Sequence, residues 1–496
     1  MKVKQKSVCQ NCRNRKLGCD GKRPGCSQCV LSGHTCDGYR TEWKFISHTP
    51  MSSSTSEQHN QARIVQKEGQ ETVLGADRQE DSPTGPIPLQ VYLNPLIVCN
   101  FTELITKSYV PQNERVSQMC NSDYIEPRIC GSWVEVLPSL PCLNTPSLVL
   151  PRAVTALATS LLSQPSKSDI TRSQTYDVAI HTLRQSFGLK RRSLSIEQIP
   201  AIMCLTLVEL MIPDSVAAIL SHVQAVGMLL QAHGPSMCSS GLLHKLFVGF
   251  RPLLAFRSRQ PTFLASKPWI DTPFSHFCPS LMQSLFNEAV ILPALLHQSD
   301  CVLGSPAQCH LSDINKIPGS FINVLIRLDE WEMELQKGDQ PCYWRCGYVS
   351  QVESRTTDDT RSLPFWYPNV TMANVFTHLW AFRIVCLSEL KRFKTHFPGS
   401  DQEQPVWTGQ FDKNDDHIQD QLIVLAKNIS LSMVYLLQDE MRLFGPASTI
   451  FPLQMAYQAY KSLGSRHQVD IAYLEGIIDQ LDEKGLKSAR ALVFDN

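Results

Sequence analysis

The sequence lacks a net charge and lacks a long uninterrupted hydrophobic run. Its 46 Lys and Arg residues equal its 46 Asp and Glu residues, so the overall charge favours no polyanionic partner. The most apolar stretch, residues 199–220, contains two prolines and two acidic residues, which excludes a membrane-spanning helix there. Because no apolar segment of signal-peptide length follows the basic first ten residues, we expect an intracellular protein with reduced thiols.

The sequence also lacks the common local signatures of catalysis. It contains no phosphate-binding glycine loop, no H-E-x-x-H motif and no G-x-S-x-G motif. His222 and His233 lie in an apolar helical stretch, where buried structural histidines are more common than ligands. Cys342 and Cys346 lie four residues apart without a third ligand nearby, which favours buried thiols. We therefore do not expect an enzyme.

The zero average charge conceals a basic N-terminal segment. Residues 1–50 contain ten Lys and Arg side chains and only three Asp and Glu, a net charge of +7 that the remainder of the chain balances with −7. A basic segment attached to an acidic remainder favours a nucleic-acid partner.

Cysteine is concentrated in the same segment, where six of the 18 cysteines have the spacing C-x2-C-x6-C-x6-C-x2-C-x6-C. Two cysteines three apart at a helix start can direct both sulfurs to one metal ion. Six thiolates are too few for two separate four-coordinate zinc sites, but two shared sulfurs supply the missing ligands. The spacing predicts two Zn²⁺ ions held by two short helices. The predicted ligands are Cys9, Cys12, Cys19, Cys26, Cys29 and Cys36.

A segment of this size buries too little apolar surface to fold without help. Structural zinc contributes about 10–16 kcal/mol of apparent free energy that is coupled to folding, so we expect the metal-free segment to be unfolded. A disulfide knot and a redox or zinc-storage role are the alternatives for the same cysteines. The missing export signal and the missing catalytic partners disfavour both.

Basic residues lie between the second and third cysteines, at Arg13, Arg15 and Lys16. A zinc-bound scaffold would hold these cations in place, whereas an ordinary charge run is a solvated face. With six thiolates and two Zn²⁺ ions counted, the segment keeps a charge of about +5, which suits a phosphate-binding surface.

The six cysteines, the run Arg13-Asn-Arg-Lys-Leu-Gly-Cys-Asp20 and Pro24 between the two halves resemble the fungal six-cysteine binuclear zinc cluster transcription factors. The resemblance implies that Cys9 and Cys26 bridge the two ions. It implies terminal ligands in two pairs, Cys12 and Cys19 on one ion and Cys29 and Cys36 on the other.

The resemblance also implies a mode of DNA binding, with the first helix presented to the major groove. Arg15 and Lys16 would contact the bases of a CGG-type triplet, because guanine offers O6 and N7 as acceptors. Three further cations would contact phosphates and set the register without reading sequence. These are Arg13, Lys22 and Arg23.

Residues 46–90 contain no aromatic residue and are rich in Ser, Thr, Gln, Gly and Pro, which is typical of a disordered linker. Sustained apolar heptads are absent there, so we expect no dimerising coiled coil in this segment.

After residue 90, apolar residues recur at helical spacing, most clearly in residues 321–335, 375–387 and 422–436. We expect a large all-α domain over residues 91–496, solenoid-like or irregular. The acidic stretches 329–334 and 414–416 are interpreted as solvated faces or loops, with recruitment of coactivators as the alternative.

Parts of this region resemble the second class of fungal-specific transcription factor regulatory domains, which regulate and mediate association without known catalysis. The segments that carry the resemblance are residues 176–183, 222–235, 246–251, 263–269 and 376–383.

Together these patterns predict a mostly α-helical protein with a zinc-cluster DNA-binding module at residues 1–45 (the cluster at 9–36), a linker at 46–90 and a regulatory domain at 91–496.

The main hypothesis is a nuclear, zinc-dependent DNA-binding regulator of RNA polymerase II transcription. Its expected partners are double-stranded DNA, transcriptional co-regulators and a second copy through the helical domain, with no membrane. The alternative is a zinc-cluster protein–protein adaptor without base readout. A metal-dependent enzyme ranks third, because cysteine-saturated zinc has no open position for substrate.

Overall fold

The computed structural model describes two parts of the chain. In the N-terminal part these are residues 11–12, 15, 19, 26, 28–29, 32 and 36. In the remainder they are residues 95–111, 132–140, 147–162, 169–188, 195–213, 215–256, 258–305, 311–338, 341–345, 363–397 and 415–494. The chain divides into two compact units, Met1–Thr49 and Pro50–Asn496, called here the N-terminal unit and the helical body. The predicted linker at residues 46–90 lies outside the described residues.

Helices dominate the described part of the helical body, which confirms the predicted fold class. In chain order they are α1 (Pro95–Tyr109), α2 (Val149–Leu162), α3 (Asp169–Gly188), α4 (Gln198–Leu210), α5 (Val216–His233), α6 (Gly241–Phe256), α7 (Lys267–Asp271), α8 (Leu281–Ala289), α9 (Leu292–Gly304), α10 (Leu311–Leu335), α11 (Val370–His396), α12 (Asp415–Leu436), α13 (Phe444–Ser448), α14 (Ile450–Ser462), α15 (Gln468–Glu483) and α16 (Ala489–Phe494).

Short 3₁₀ helices and one small β-ribbon complete the described elements. The ribbon pairs β1 (Trp344–Arg345) with β2 (Phe365–Trp366) antiparallel, so that Trp344 faces Trp366. The 3₁₀ helices are Ser132–Ser139, Pro235–Cys238, Phe263–Ala265, Thr272–Phe274, Asp439–Met441 and Ser465–His467.

The long helix α11 lies at the centre of the helical body and packs against α8, α9, α10, α12 and α14. The side chain of Asn369 caps its first turn by accepting a hydrogen bond from the Met372 N–H at 2.9 Å. Phe376 and Phe382 on its length are fully buried. The three apolar stripes predicted in α10, α11 and α12 lie on buried faces, which confirms their reading from helical periodicity.

The helices form an irregular, closed array and not a solenoid. Ser488, just before α16, donates from its N–H to the Leu210 carbonyl at 3.2 Å and from its Oγ to the Glu209 carbonyl at 2.9 Å. The N–H of Leu443 likewise donates to the carbonyl of Ser108 in α1, at 3.1 Å. Solenoid repeats contact only their neighbours, whereas here late segments pack on early helices.

Two helices, α5 and α11, are long and apolar enough to cross a membrane by length and composition. Half of the apolar window of α5 and 78% of that of α11 are buried inside the helical body. A helix that is hydrophobic all round can belong to a protein core as well as to a membrane, and α11 has its apolar surface covered by five other helices.

Gly249 of α6 lies where this helix meets Trp133. A Cβ at position 249 would lie 2.8 Å from the Trp133 Cβ, and Trp133 is buried. We expect Gly249→Ala to lower the free energy of unfolding by about 1–3 kcal/mol, measured by urea denaturation.

The matched control is Gly476→Ala in α15, where a new Cβ meets nothing within 4 Å. Alanine should raise the free energy of unfolding there by about 0.5–1 kcal/mol, because it favours the helix over glycine. Equal effects of the two substitutions would contradict the close approach of Gly249 and Trp133.

Candidate metal centre

Three buried sulfurs form the centre of the N-terminal unit. Cys12, Cys26 and Cys29 are at most 2% exposed, and their Sγ atoms all lie within 4.8 Å of one another. The Sγ of Cys12 is 3.6 Å from that of Cys26 and 3.9 Å from that of Cys29. Cys19 and Cys36 are half-buried and pack against this group. The structure thus brings five of the six predicted ligands together, and Cys9 lies outside the described residues.

The sulfur separations fit a shared metal ion. Two thiolates bound tetrahedrally to one Zn²⁺, each at about 2.3 Å, lie about 3.8 Å apart. A disulfide would hold its sulfurs at about 2.05 Å, far closer than any separation seen here. Buried thiolates need a compensating cation, so the chemistry of this donor set fits zinc.

One helical hydrogen bond follows each C-x2-C pair. The N–H of Arg15 donates to the Asn11 carbonyl at 3.1 Å, and the N–H of Ser32 donates to the Gln28 carbonyl at 3.2 Å. The two bonds are 17 residues apart, the same offset that relates the first three cysteines to the last three. The two halves therefore share the same backbone hydrogen bond at the same position relative to their cysteines.

The sulfur of Cys26 contacts both halves of the segment. It lies 3.6 Å from the Cys12 sulfur of the first half and accepts the N–H of Cys29 in the second half at 3.3 Å. This hydrogen bond fixes the orientation of the Cys26 sulfur. This position between the halves is the one that a shared ligand needs.

Of the cations predicted to contact DNA, the structure describes Arg15. Its side chain is exposed, and its backbone hydrogen bond to Asn11 fixes it one turn beyond the first C-x2-C pair. The other predicted DNA contacts lie outside the described residues, and these are Arg13, Lys16, Lys22 and Arg23.

The surroundings of His222 and His233 in the helical body are those of structural residues. His222 is 2% exposed, and its Nε2 lies 3.8 Å from the Glu209 carboxylate and 3.5 Å from the Tyr176 hydroxyl. Tyr176 donates a hydrogen bond to the same carboxylate. Burial and the charge of Glu209 raise the pKa of Tyr176, so this hydroxyl stays a donor. His233 is half-buried at the end of α5.

Sequence reasoning missed the cluster that surrounds Glu209. The available signal was an acidic residue within the most apolar stretch of the chain, because such a residue needs buried partners. Elsewhere in the described ranges of the helical body, no group of three His, Cys, Asp or Glu side chains has the spacing of a metal site. Cys342 is half-buried, and Cys346 lies outside those ranges.

The acidic stretch 329–334 is partly committed to packing. Glu332 forms an ion pair with Arg383 of α11 at 2.6 Å, and Asp329 pairs with the same guanidinium. These two carboxylates therefore join α10 to α11, while Glu330 and Glu334 are exposed.

Comparison with known proteins bears on the N-terminal unit. Residues 7–44 match the model of the fungal Zn(2)-Cys(6) binuclear cluster domain, a family of DNA-binding transcription factor domains and not of enzymes. No curated protein matches the chain, and no solved structure matches it. The match and the clustered sulfurs together show that residues 7–44 are similar to the zinc-binding fungal Zn(2)-Cys(6) cluster domains.

Proposed function

We propose that the protein is a sequence-specific, zinc-dependent regulator of RNA polymerase II transcription that acts in the nucleus. The observation that carries the proposal is the group of three buried sulfurs at metal-ligand spacing, within a segment that matches a DNA-binding domain family. Zinc in such a site supplies folding energy, and cysteine saturation leaves no coordination position for a substrate.

The proposed cluster contains two Zn²⁺ ions that share Cys9 and Cys26. The contacts of Cys26 with both halves support its role as a shared ligand. The 3.9 Å between the Cys12 and Cys29 sulfurs also fits two ligands of one ion, so the two-ion arrangement requires this pair to separate when both ions bind. The terminal pairs are Cys12 with Cys19 and Cys29 with Cys36.

Base readout is assigned to Arg15 and Lys16, which would contact guanines of a CGG-type triplet in the major groove. The exposure of Arg15 one turn after Cys12 supports this assignment, because a metal bound by Cys12 would fix the start of that turn. Phosphate contacts are assigned to Arg13, Lys22 and Arg23, whose role is to position the module.

The remaining organisation is proposed on the resemblance of the helical body to fungal regulatory domains. Residues 1–45 would bind DNA, residues 46–90 would serve as the linker, and residues 91–496 would contact co-regulators and a second copy of the chain. Two residues in the resembling segments, Tyr176 and His222, meet at Glu209 in the core, which supports a structural role for those segments.

Arg15→Ala tests base readout. We expect it to reduce discrimination between a CGG-containing duplex and a duplex with one altered base pair by about 1–3 kcal/mol, because a guanine contact is lost. Fluorescence anisotropy at fixed salt with the zinc-loaded full chain measures both affinities.

Arg23→Ala is the matched control for Arg15→Ala. The loss of a phosphate contact should weaken binding to all duplexes alike. It should also reduce the slope of log affinity against log salt concentration by about one. Unchanged affinity for every duplex in both variants would overturn the proposal in favour of an adaptor without base readout.

A further inference from the structure

A cavity of about 270 Å³ opens between α5, α6 and the segment that follows α6. Gly227, Leu254 and Phe263 line one side of it, called here the floor, and Met228 is a further lining residue. Three glutamine residues line it, Gln224 and Gln231 of α5 and Gln260 of the following segment, and all three are exposed. No charged side chain is among the described residues that line it.

The floor of the cavity is formed in advance of any ligand. Gly227 lets α5 approach closely, because a Cβ there would lie 3.2 Å from Leu254 Cδ2 and 3.7 Å from Phe263 Cε1. The ring of Phe263 packs edge-to-face on Trp269, with centroids 4.7 Å apart. A preformed floor avoids the entropic cost of ordering side chains on binding.

One wall of the cavity is anchored to the core by Arg259, which lies between the lining residues Ser258 and Gln260. Its guanidinium donates to Asp300 of α9 at 2.7 Å and to the buried Glu389 of α11 at 2.8 Å. Because these two carboxylates belong to different helices, they hold the wall in one position.

The lining determines the chemistry of the ligand. The described lining residues offer no counter-ion to a charged ligand, which disfavours its transfer from water. Each glutamine amide offers both a donor and an acceptor, which complements the N–H and C=O of an amide or lactam. Phe263 and Met228 offer ring and sulfur surface to a flat apolar face. A volume of about 270 Å³ leaves room for a two-ring compound.

We propose that this cavity binds a small uncharged molecule with a flat ring system and an amide or lactam edge. The inference concerns the helical body alone and goes beyond the DNA-binding function proposed above. A failure of either therefore leaves the other standing.

The test uses 2-quinolone, a neutral two-ring lactam, titrated into the zinc-loaded full chain and followed by ligand-observed NMR. We expect saturable binding in the millimolar range or tighter, since a ligand of this size has a limited maximal affinity. Benzoate, which carries a charge, should not compete.

Met228→Trp should fill the cavity and lower the affinity for 2-quinolone by at least about tenfold. Met228 is 37% exposed, so the larger ring can be accommodated without repacking the core. The matched control is Met237→Trp, because Met237 is 54% exposed and is not among the residues that line the cavity. The affinity of this variant for 2-quinolone should equal that of the unaltered chain. Circular dichroism melting checks that both variants fold.

Three results would overturn the inference. These are no saturable binding of 2-quinolone, equal binding of benzoate, and equal affinities of Met228→Trp and Met237→Trp.

Discussion

Cys26→Ser is expected to abolish specific DNA binding and to leave the helical body folded. Cys26 is fully buried and its sulfur contacts both halves of the cysteine segment, so the substitution would remove the proposed shared ligand. Structural zinc supplies about 10–16 kcal/mol of apparent free energy in small domains, far more than the apolar contacts of this segment provide. The expected result is therefore unfolding of the N-terminal unit and not a modest loss of affinity.

Three measurements check this result on the full chain. Elemental analysis should find two zinc ions per unaltered chain and loss of bound zinc in the variant, and a single ion per unaltered chain would contradict the shared-ligand arrangement. Fluorescence anisotropy should show loss of specific DNA binding. Circular dichroism melting should show an unchanged transition for the helical body, because the two units are separately compact.

Cys278→Ser is the matched control, since Cys278 is exposed in the helical body. It should keep the zinc content and the DNA affinity of the unaltered chain. Equal loss of zinc in both variants would mean that the substitutions act on the thiol content in general and not on the cluster.

Glu209→Ala has the second largest expected effect, a loss of about 3–5 kcal/mol in the free energy of unfolding of the helical body. The Glu209 carboxylate is 4% exposed and accepts hydrogen bonds from Tyr176 and Ser215, with His222 beside it at 3.8 Å. Removing the carboxylate takes away the group that the buried Ser215 and His222 and the half-buried Tyr176 share. Urea denaturation followed by tryptophan fluorescence measures the loss.

The same carboxylate makes stability depend on pH. Burial raises the pKa of Glu209, but the neighbouring side chains of His222, Ser215 and Tyr176 outweigh burial, so the pKa lies below its usual value. A carboxyl with a depressed folded-state pKa contributes stability above the unfolded value of about 4.3. This contribution is lost as the pH falls through the folded-state pKa.

Two variants isolate the contribution of Glu209. Glu209→Gln keeps the shape and should cost less than Glu209→Ala, about 1–3 kcal/mol, while its unfolding free energy should fall less steeply in acid. The control Glu475→Ala, at an exposed position in α15, should change the unfolding free energy by no more than about 0.5 kcal/mol. A Glu209→Ala cost as small as that of Glu475→Ala would contradict the buried cluster.

The sequence alone predicted those features that depend on residues close together in the chain. Metal-ligand spacing is set within a few residues, so the cysteine pattern predicted a thiolate cluster, and Cys12, Cys26 and Cys29 do meet. Helical periodicity is also local, and the stripes of α10, α11 and α12 lie on buried faces. Exposure of Arg15 followed from the same short turn.

Only the tertiary structure decided which distant polar groups meet. Tyr176 reaches Glu209 across 33 positions, and Ser488 reaches it across 279. Arg259 reaches Glu389 across 130 positions, and this contact fixes a wall of the cavity. The sequence shows whether a residue is apolar or polar. The partner of a buried charged side chain depends on which helix packs beside it, and the sequence pattern does not show this. A cysteine cluster whose residues lie within 28 positions of one another can therefore be predicted from sequence. A core that is completed by contacts between the C-terminal segment and early helices cannot.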